Sequence, residues 1–95
     1  MGALWIANVT VTDPDAYAKY AAIAAEAIAA HGGVYIARAG RYVQLEGRER
    51  PRNVVARFAK LEDAVACYNS DIYRKALSHA KGASDREVMV VETTE

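Results

Sequence analysis

The chain has 95 residues, of which 53% are hydrophobic and 25% charged; this is the composition of one globular domain and excludes a disordered or collagen-like chain. Twelve Lys and Arg residues balance twelve Asp and Glu residues, and a net charge of zero argues against a general nucleic-acid binder, which carries a basic footprint. No apolar run is long enough to cross a membrane, and a single cysteine predicts a reducing, cytoplasmic setting.

The first part of the chain predicts a strand followed by a long helix. Leu4–Thr12 is uncharged and rich in β-branched residues, and both parities are mostly apolar, as in a strand covered on both faces. Asp13 fits a helix N-cap because Pro14 follows it at the first helical position. The alanine-rich helix is predicted to continue to His31 and to end at Gly32-Gly33.

The middle of the chain predicts two further strands. Val34–Ala39 alternates as a strand does, and Tyr42–Leu45 is its continuation or a short partner. Gly47–Arg52 is polar and contains a proline, so we expect an exposed loop. Asn53–Ala59 is the next strand.

Two short helices and a last strand complete the chain. The first helix covers Leu61–Asn69, and Ser70 caps a second helix that stops at Gly82. The last strand is Glu87–Thr93. The side chains expected to point inward from these helices are Leu61, Ala64, Val65, Tyr68, Tyr73, Ala76, Leu77 and Ala80.

This order of elements is the split βαβ pattern of ferredoxin-like folds. It predicts a single α+β domain over residues 1–95, with an antiparallel four-stranded sheet and helices on one face. Right-handed crossovers are expected to make strands one and three parallel neighbours, with the last strand on the other side of strand one. Strands one, three and four are apolar at both parities, so the open sheet face is expected to join two copies as a homodimer.

Several segments together resemble one known family. They are TDPDAYAKY in helix one, HGGVYIARAG before strand two, Leu45-Glu46-Gly47, PRNVVARFAKLEDAVACYNSDIY and the closing VMVVE. Over nearly its whole length the chain resembles the small bacterial family called domain of unknown function 1330, within the dimeric α+β barrel superfamily. The resemblance implies a ferredoxin-like fold and a sheet-to-sheet homodimer, and it supplies no activity. The family usually carries an Arg in the last helix where His79-Ala80-Lys81 stands, so no anion-binding role is carried over to that position.

The chain has no motif of a metal or cofactor site. Nucleotide-binding glycine loops and paired cysteines are absent, and His31 and His79 stand alone, so we predict no metal and no cofactor. Cys67 lies on an alanine-rich helix, where a free cysteine packs as a small apolar residue. This interpretation is favoured over a nucleophile with a histidine as its base.

Polar residues among apolar ones are the candidates for ligand binding. Arg38 lies within an apolar strand and requires a carboxylate, for which Glu46 and Glu87 are the candidates, an anionic ligand or water; a structural ion pair within the dimer is favoured. We expect Asn8, His31 and Arg38 to share one hollow between sheet and helices, roofed by tyrosines of helix one and the last helix. The full set of candidate ligand-binding residues is Asn8, Tyr20, His31, Arg38, Tyr73 and His79.

Three functions remain open at this point. The first is a homodimer that binds a small, anionic metabolite between sheet and helices. The second, by analogy with the superfamily, is a cofactor-independent monooxygenase- or isomerase-like enzyme. Haem-degrading members of the superfamily use an Asn on strand one together with a Trp and a His from the helical side. In this chain Asn8 is on strand one and His79 is on the last helix, but the only Trp, Trp5, is on the same strand as Asn8. The third is a purely structural or partner-binding dimer.

Overall fold

The computed structural model describes all 95 residues as four strands and three helices. The elements are β1 (Ala3–Val11), α1 (Pro14–Ala30), β2 (Val34–Arg38), β3 (Arg52–Phe58), α2 (Leu61–Tyr68), α3 (Asp71–Ala80) and β4 (Ser84–Glu92). The strands form one antiparallel sheet in the order β2-β3-β1-β4. The predicted α+β ferredoxin-like fold is confirmed. No helix is long and apolar enough to span a membrane.

The expected parallel pairing of strands one and three is wrong. β1 and β3 are neighbours, but they run antiparallel, with Trp5 opposite Ala56. The crossover through α1 joins β1 to β2, so those two strands run in the same direction. The chain then reverses after β2, and β3 lies between β2 and β1, antiparallel to both. The prediction that β4 lies on the other side of β1 is confirmed.

The predicted helix starts are confirmed by their hydrogen bonds. The Asp13 carboxylate accepts from the Ala16 amide at 3.2 Å, and the Ser70 hydroxyl accepts from the Tyr73 amide at 3.2 Å. Both side chains satisfy backbone donors that have no partner within the helix. These two caps fix where α1 and α3 begin.

The core lies between the helices and one face of the sheet. Alternate residues of β1 point to this face and are buried, and Trp5 at their centre is only 2% exposed. The Trp5 ring meets Tyr73 of α3 edge-on, with centroids 5.1 Å apart. Small alanines of α1, such as Ala24 and Ala27, let that helix lie close to the sheet. The aromatic contacts therefore set the distance between the two layers.

The segment between β2 and β3 differs from expectation at two places. Tyr42–Leu45 forms no strand, and its side chains are exposed. The loop that follows is exposed except at Arg50, whose side chain is 6% exposed. The Arg50 guanidinium donates to the Asp85 carbonyl oxygen at 2.7 Å, and its Nε lies 3.3 Å from a Glu87 carboxylate oxygen. Arg50 is buried because its charge finds these partners on β4, which is distant in sequence.

The end of α1 approaches the sheet so closely that only a glycine fits at position 33. We therefore predict that Gly33→Ala lowers the free energy of unfolding by about 1–3 kcal/mol. A Cβ at Gly33 would lie 2.6 Å from Ile28 Cγ2 and 2.7 Å from Phe58 Cζ, and both side chains are packed in the core. Gly40→Ala is the matched control, since nothing lies within 4 Å of its added Cβ. Urea denaturation at one protein concentration compares the variants, and equal midpoints for both would contradict this packing.

Candidate functional site

A wide groove lies between α2 and β4 on the helix-covered side of the sheet. Its volume is about 560 Å³, within the range of pockets that bind small molecules. Its only charged lining residue is Arg86. The remaining walls of this β4 groove are apolar or aromatic: Trp5, Leu61, Val65, Tyr68, Val88, Met89 and Val90.

The groove is open because α2 turns its small side chains to the core. Ala64 and Cys67 are fully buried, whereas Val65 and Tyr68 are 45% and 40% exposed. The expectation that Val65 points inward is therefore wrong, and Tyr68 is inward only in part, since its ring packs against Trp5 and Tyr73 while its other side is exposed. The residues of α2 that face the sheet are small, and the larger side chains of Val65 and Tyr68 form one wall of the groove.

Arg86 is held in the groove by two tyrosine hydroxyls. Its guanidinium donates to the Tyr20 hydroxyl at 2.7 Å and to the Tyr73 hydroxyl at 3.3 Å. The two hydroxyls lie 2.7 Å from each other, and the Tyr20 ring centroid is 4.6 Å from Arg86 Cζ. No carboxylate oxygen lies within 4.0 Å of Arg86. The guanidinium is thus oriented by neutral acceptors and has no counter-charge from the chain.

The electrostatics keep this cluster positive. Burial raises the pKa of Tyr73 far above that of an ordinary tyrosine, so its hydroxyl stays neutral. Burial works against the charge of Arg86, but the oxygens of Tyr20 and Tyr73 outweigh it and raise the pKa of the guanidinium. An apolar groove with one fixed, uncompensated cation favours a ligand that brings a negative charge or a strong acceptor.

The sequence found the two tyrosines of this cluster but not its arginine. Tyr20 and Tyr73 were predicted to face the hollow between helices and sheet, and both contact Arg86 there. The sequence predicts a last strand that begins at Glu87, so Arg86 lies outside it. It shares the parity of Val88 and Val90, which face the helices, and a longer strand prediction would have shown a cation on that apolar face.

The other four candidates do not join this cluster. Asn8 lies on the opposite, open face of the sheet, where its amide donates to the Asn53 side-chain oxygen at 2.8 Å. His31 caps α1, with Nδ1 2.8 Å from the Ala27 carbonyl oxygen. His79 lies in the last turn of α3 and does not line this groove. Arg38 ends β2, and it lines a different groove, between α1 and the β2–β3 pair.

The expected hollow shared by Asn8, His31 and Arg38 is therefore wrong. Asn8 has the parity of β1 that faces away from the helices, His31 follows α1 before β2 begins, and Arg38 is the last residue of β2. β1 lies between β3 and β4, so a side chain on its open face is separated by the sheet from a hollow under the helices. The resemblance to the Asn, Trp and His arrangement of haem-degrading proteins does not hold either, because Asn8 and Trp5 lie on opposite faces of the sheet.

The ion pairs also differ from those expected for Arg38. Neither Glu46 nor Glu87 pairs with it; Glu87 pairs with Arg50 instead. Arg38 rests on the ring of Tyr35, with Cζ 4.4 Å from the centroid. The favoured structural ion pair for Arg38 is therefore not formed within the chain.

Cys67 packs as a small apolar residue, as predicted. Its side chain is fully buried in the core cluster, and burial raises the pKa of its thiol to about 11. The thiol is therefore protonated at neutral pH and is a poor nucleophile. No group of three or more His, Cys, Asp or Glu side chains is placed to hold a metal ion.

Solved structures share this fold at low sequence identity. A protein of unknown function from Rhodopseudomonas palustris superposes with a TM-score of 0.76 at 18% identity, covering 99% of this chain and 83% of that one. A dimeric ferredoxin-like protein of unknown function from Thermobifida fusca has a TM-score of 0.65 at 20% identity, covering 98% and 92%. SnoaB, a cofactor-independent oxygenase from Streptomyces nogalater, has a TM-score of 0.64 at 13% identity, covering 99% and 94%.

Sequence comparison assigns the chain to a family. No curated protein matches the chain significantly. The family model of DUF1330, a domain of unknown function, matches residues 2–94. With nearly the whole chain matched, and with the ferredoxin-like fold in place, the protein belongs to the DUF1330 family.

Proposed function

We propose that this protein binds a small metabolite with an anionic or phenolic oxygen in the β4 groove, and that it does so as a homodimer. The observation that carries the binding proposal is Arg86, a charged side chain in an apolar groove without a carboxylate partner. Arg86 is half-buried, and a partly desolvated cation is stabilised by each acceptor that completes its hydrogen bonds. A ligand oxygen at the free side of the guanidinium supplies that acceptor.

The walls of the groove indicate the rest of the ligand. Trp5 and Tyr68 form an aromatic wall, with ring centroids 6.0 Å apart, and Val88 and Val90 form the floor. Flat apolar rings bury well against such surfaces. A ring system of one or two rings with one acidic group matches both the size of the groove and its single cation.

The open face of the sheet supports the homodimer. It carries Leu4 and Ile6 of β1, Val55 of β3, and Met89 and Val91 of β4, of which Met89 is 53% exposed. A monomer would leave this apolar surface in water, and a second copy of the same face covers it. Two fold neighbours that are described as dimeric support self-association of the chain. Met89 also lines the β4 groove, so the partner would lie beside the ligand.

A second candidate function is cofactor-independent oxygenation of a phenolic ligand in the same groove, supported by the fold neighbour that is a cofactor-independent oxygenase. Arg86 would stabilise the phenolate. The phenol and O₂ would give a quinone and water: one oxygen atom becomes the new carbonyl, the other leaves as water, and the substrate supplies all four electrons.

Oxygen uptake with 1-naphthol tests this second candidate. If the protein is such an oxygenase, uptake rises with protein concentration and falls at least about tenfold in Arg86→Gln, because the phenolate loses its counter-charge. Uptake that is the same with and without protein contradicts the oxygenase and leaves the binding function in place.

For the binding function, we predict that Arg86→Gln weakens the binding of 2-naphthoate by about tenfold or more. One charge-assisted hydrogen bond contributes about 1.5–3 kcal/mol, and about 1.4 kcal/mol corresponds to a factor of ten. Arg74→Gln is the matched control, because Arg74 is exposed on α3 and bonds only to Asn69. Titration calorimetry measures affinity, and near-ultraviolet circular dichroism verifies the fold. Equal affinities for the two variants would refute the role of Arg86.

For the homodimer, we predict that Ile6→Lys gives a monomer at micromolar concentration, whereas the unaltered chain is a dimer. Ile6 lies at the centre of the open face, opposite Val55 and Met89, so a charge there would be buried without a partner. Ala29→Lys, on the exposed side of α1, is the control and should stay dimeric. Analytical ultracentrifugation decides, and a dimeric Ile6→Lys or a monomeric parent would contradict the interface.

A further inference from the structure

A second groove lies on the other side of the helical layer, between α1 and the β2–β3 pair. Its volume is about 700 Å³, and Ala18 and Ala21 of α1 form one apolar wall. Tyr17 lies at its base, and Arg38 and Arg52 line the opposite side. We call it the α1 groove. It shares no lining residue with the β4 groove.

The two arginines of the α1 groove have no counter-charge. No carboxylate oxygen lies within 4.0 Å of either guanidinium, and no acidic residue lines the groove. Asp13 and Asp15 flank the groove residue Pro14, but both are exposed and neither pairs with an arginine. Two cations on one groove repel each other, so an anion between them would be stabilised by both.

Aromatic rings hold the arginines in place. Arg38 Cζ lies 4.4 Å from the centroid of Tyr35, and Arg52 Cζ lies 5.3 Å from the centroid of Tyr17. Stacking on a ring orients a guanidinium and leaves its in-plane N–H donors free for an oxyanion. Arg52 Nε is buried and has no acceptor. The ring contact of Arg38 therefore uses none of its donors, and Arg52 keeps its Nε–H without an acceptor.

A small enclosed cavity continues the groove toward the core. Tyr17, Arg38 and Arg52 also line this cavity, its other walls are mostly apolar side chains of the core, and its volume is about 20 Å³. That space accepts one oxygen-sized group. The arginines thus stand at the junction of the wide groove and a small recess whose other walls are mostly apolar.

We propose that the α1 groove is a second binding site, which takes a small organic oxyanion, a phosphate or a carboxylate. The charged head lies between Arg38 and Arg52, and the apolar part lies along the alanines of α1. Guanidinium groups bind phosphate and carboxylate oxygens in pairs, which is the geometry that two free arginine forks offer. This site is independent of the β4 groove and of the function proposed for it.

Titration calorimetry with phenyl phosphate tests the site. Arg38→Gln and Arg52→Gln should each weaken binding about tenfold or more, because each removes charge-assisted hydrogen bonds to the head group. Arg41→Gln is the matched control: it removes the same charge from an exposed neighbouring position that lines no groove, and its affinity should stay within about twofold of the parent. Inorganic phosphate and benzoate, titrated separately, show which of the two head groups is preferred.

Two results would overturn the proposal. One is an equal loss of affinity in Arg38→Gln, Arg52→Gln and Arg41→Gln, which would indicate bulk charge and no site. The other is a loss in Arg86→Gln with unchanged affinity in both groove variants, which would place phenyl phosphate in the β4 groove. The Arg52 Nε–H resonance of the unaltered protein gives a readout that does not depend on how the variants fold. It should shift on addition of phenyl phosphate, and a constant resonance at saturation would also contradict the site.

Discussion

The central strand β1 has to bury both of its faces, and the rest of the structure follows from this constraint. Its odd-numbered residues, with Trp5 at the centre, are covered by the helices. Its even-numbered residues, such as Leu4 and Ile6, lie on the open face between apolar neighbours of β3 and β4. A chain of 95 residues has helices enough for one face only. The helical layer and the proposed dimer are thus two solutions to the same requirement.

Aromatic contacts in the helical layer connect this packing to the candidate site. Trp5 packs edge-on against Tyr73, and Tyr73 packs edge-on against Tyr20, so one chain of rings joins β1, α3 and α1. The hydroxyls at the end of this chain hold Arg86. The same rings that fix the helices on the sheet therefore orient the one cation of the β4 groove, and they do so without supplying a negative charge.

The chain has no net charge, but its arginines differ in whether a carboxylate lies near them. Arg48, Arg50 and Arg57 have carboxylate partners, which belong to β4 or to the C-terminal residue. The arginines of the helix-covered grooves, Arg38, Arg52 and Arg86, have none and contact tyrosine rings instead. Although the net charge is zero, the β4 groove and the α1 groove each carry positive charge without a carboxylate partner. Both grooves have apolar walls, so the attraction to a bound anion is screened less than on an open surface.

The sequence by itself determined the features that depend on neighbours along the chain. The caps Asp13 and Ser70, the alternation in the strands and the order of the elements are local signals, and with the family resemblance they were sufficient for the ferredoxin-like fold. Only the tertiary structure decided which parity of β1 faces the helices, which removed Asn8 from the pocket. It also decided the partners of Arg86, which lie 66 and 13 residues away in the chain. Strand register and helix packing bring such groups together, and a one-residue shift of register would move each strand side chain to the other face.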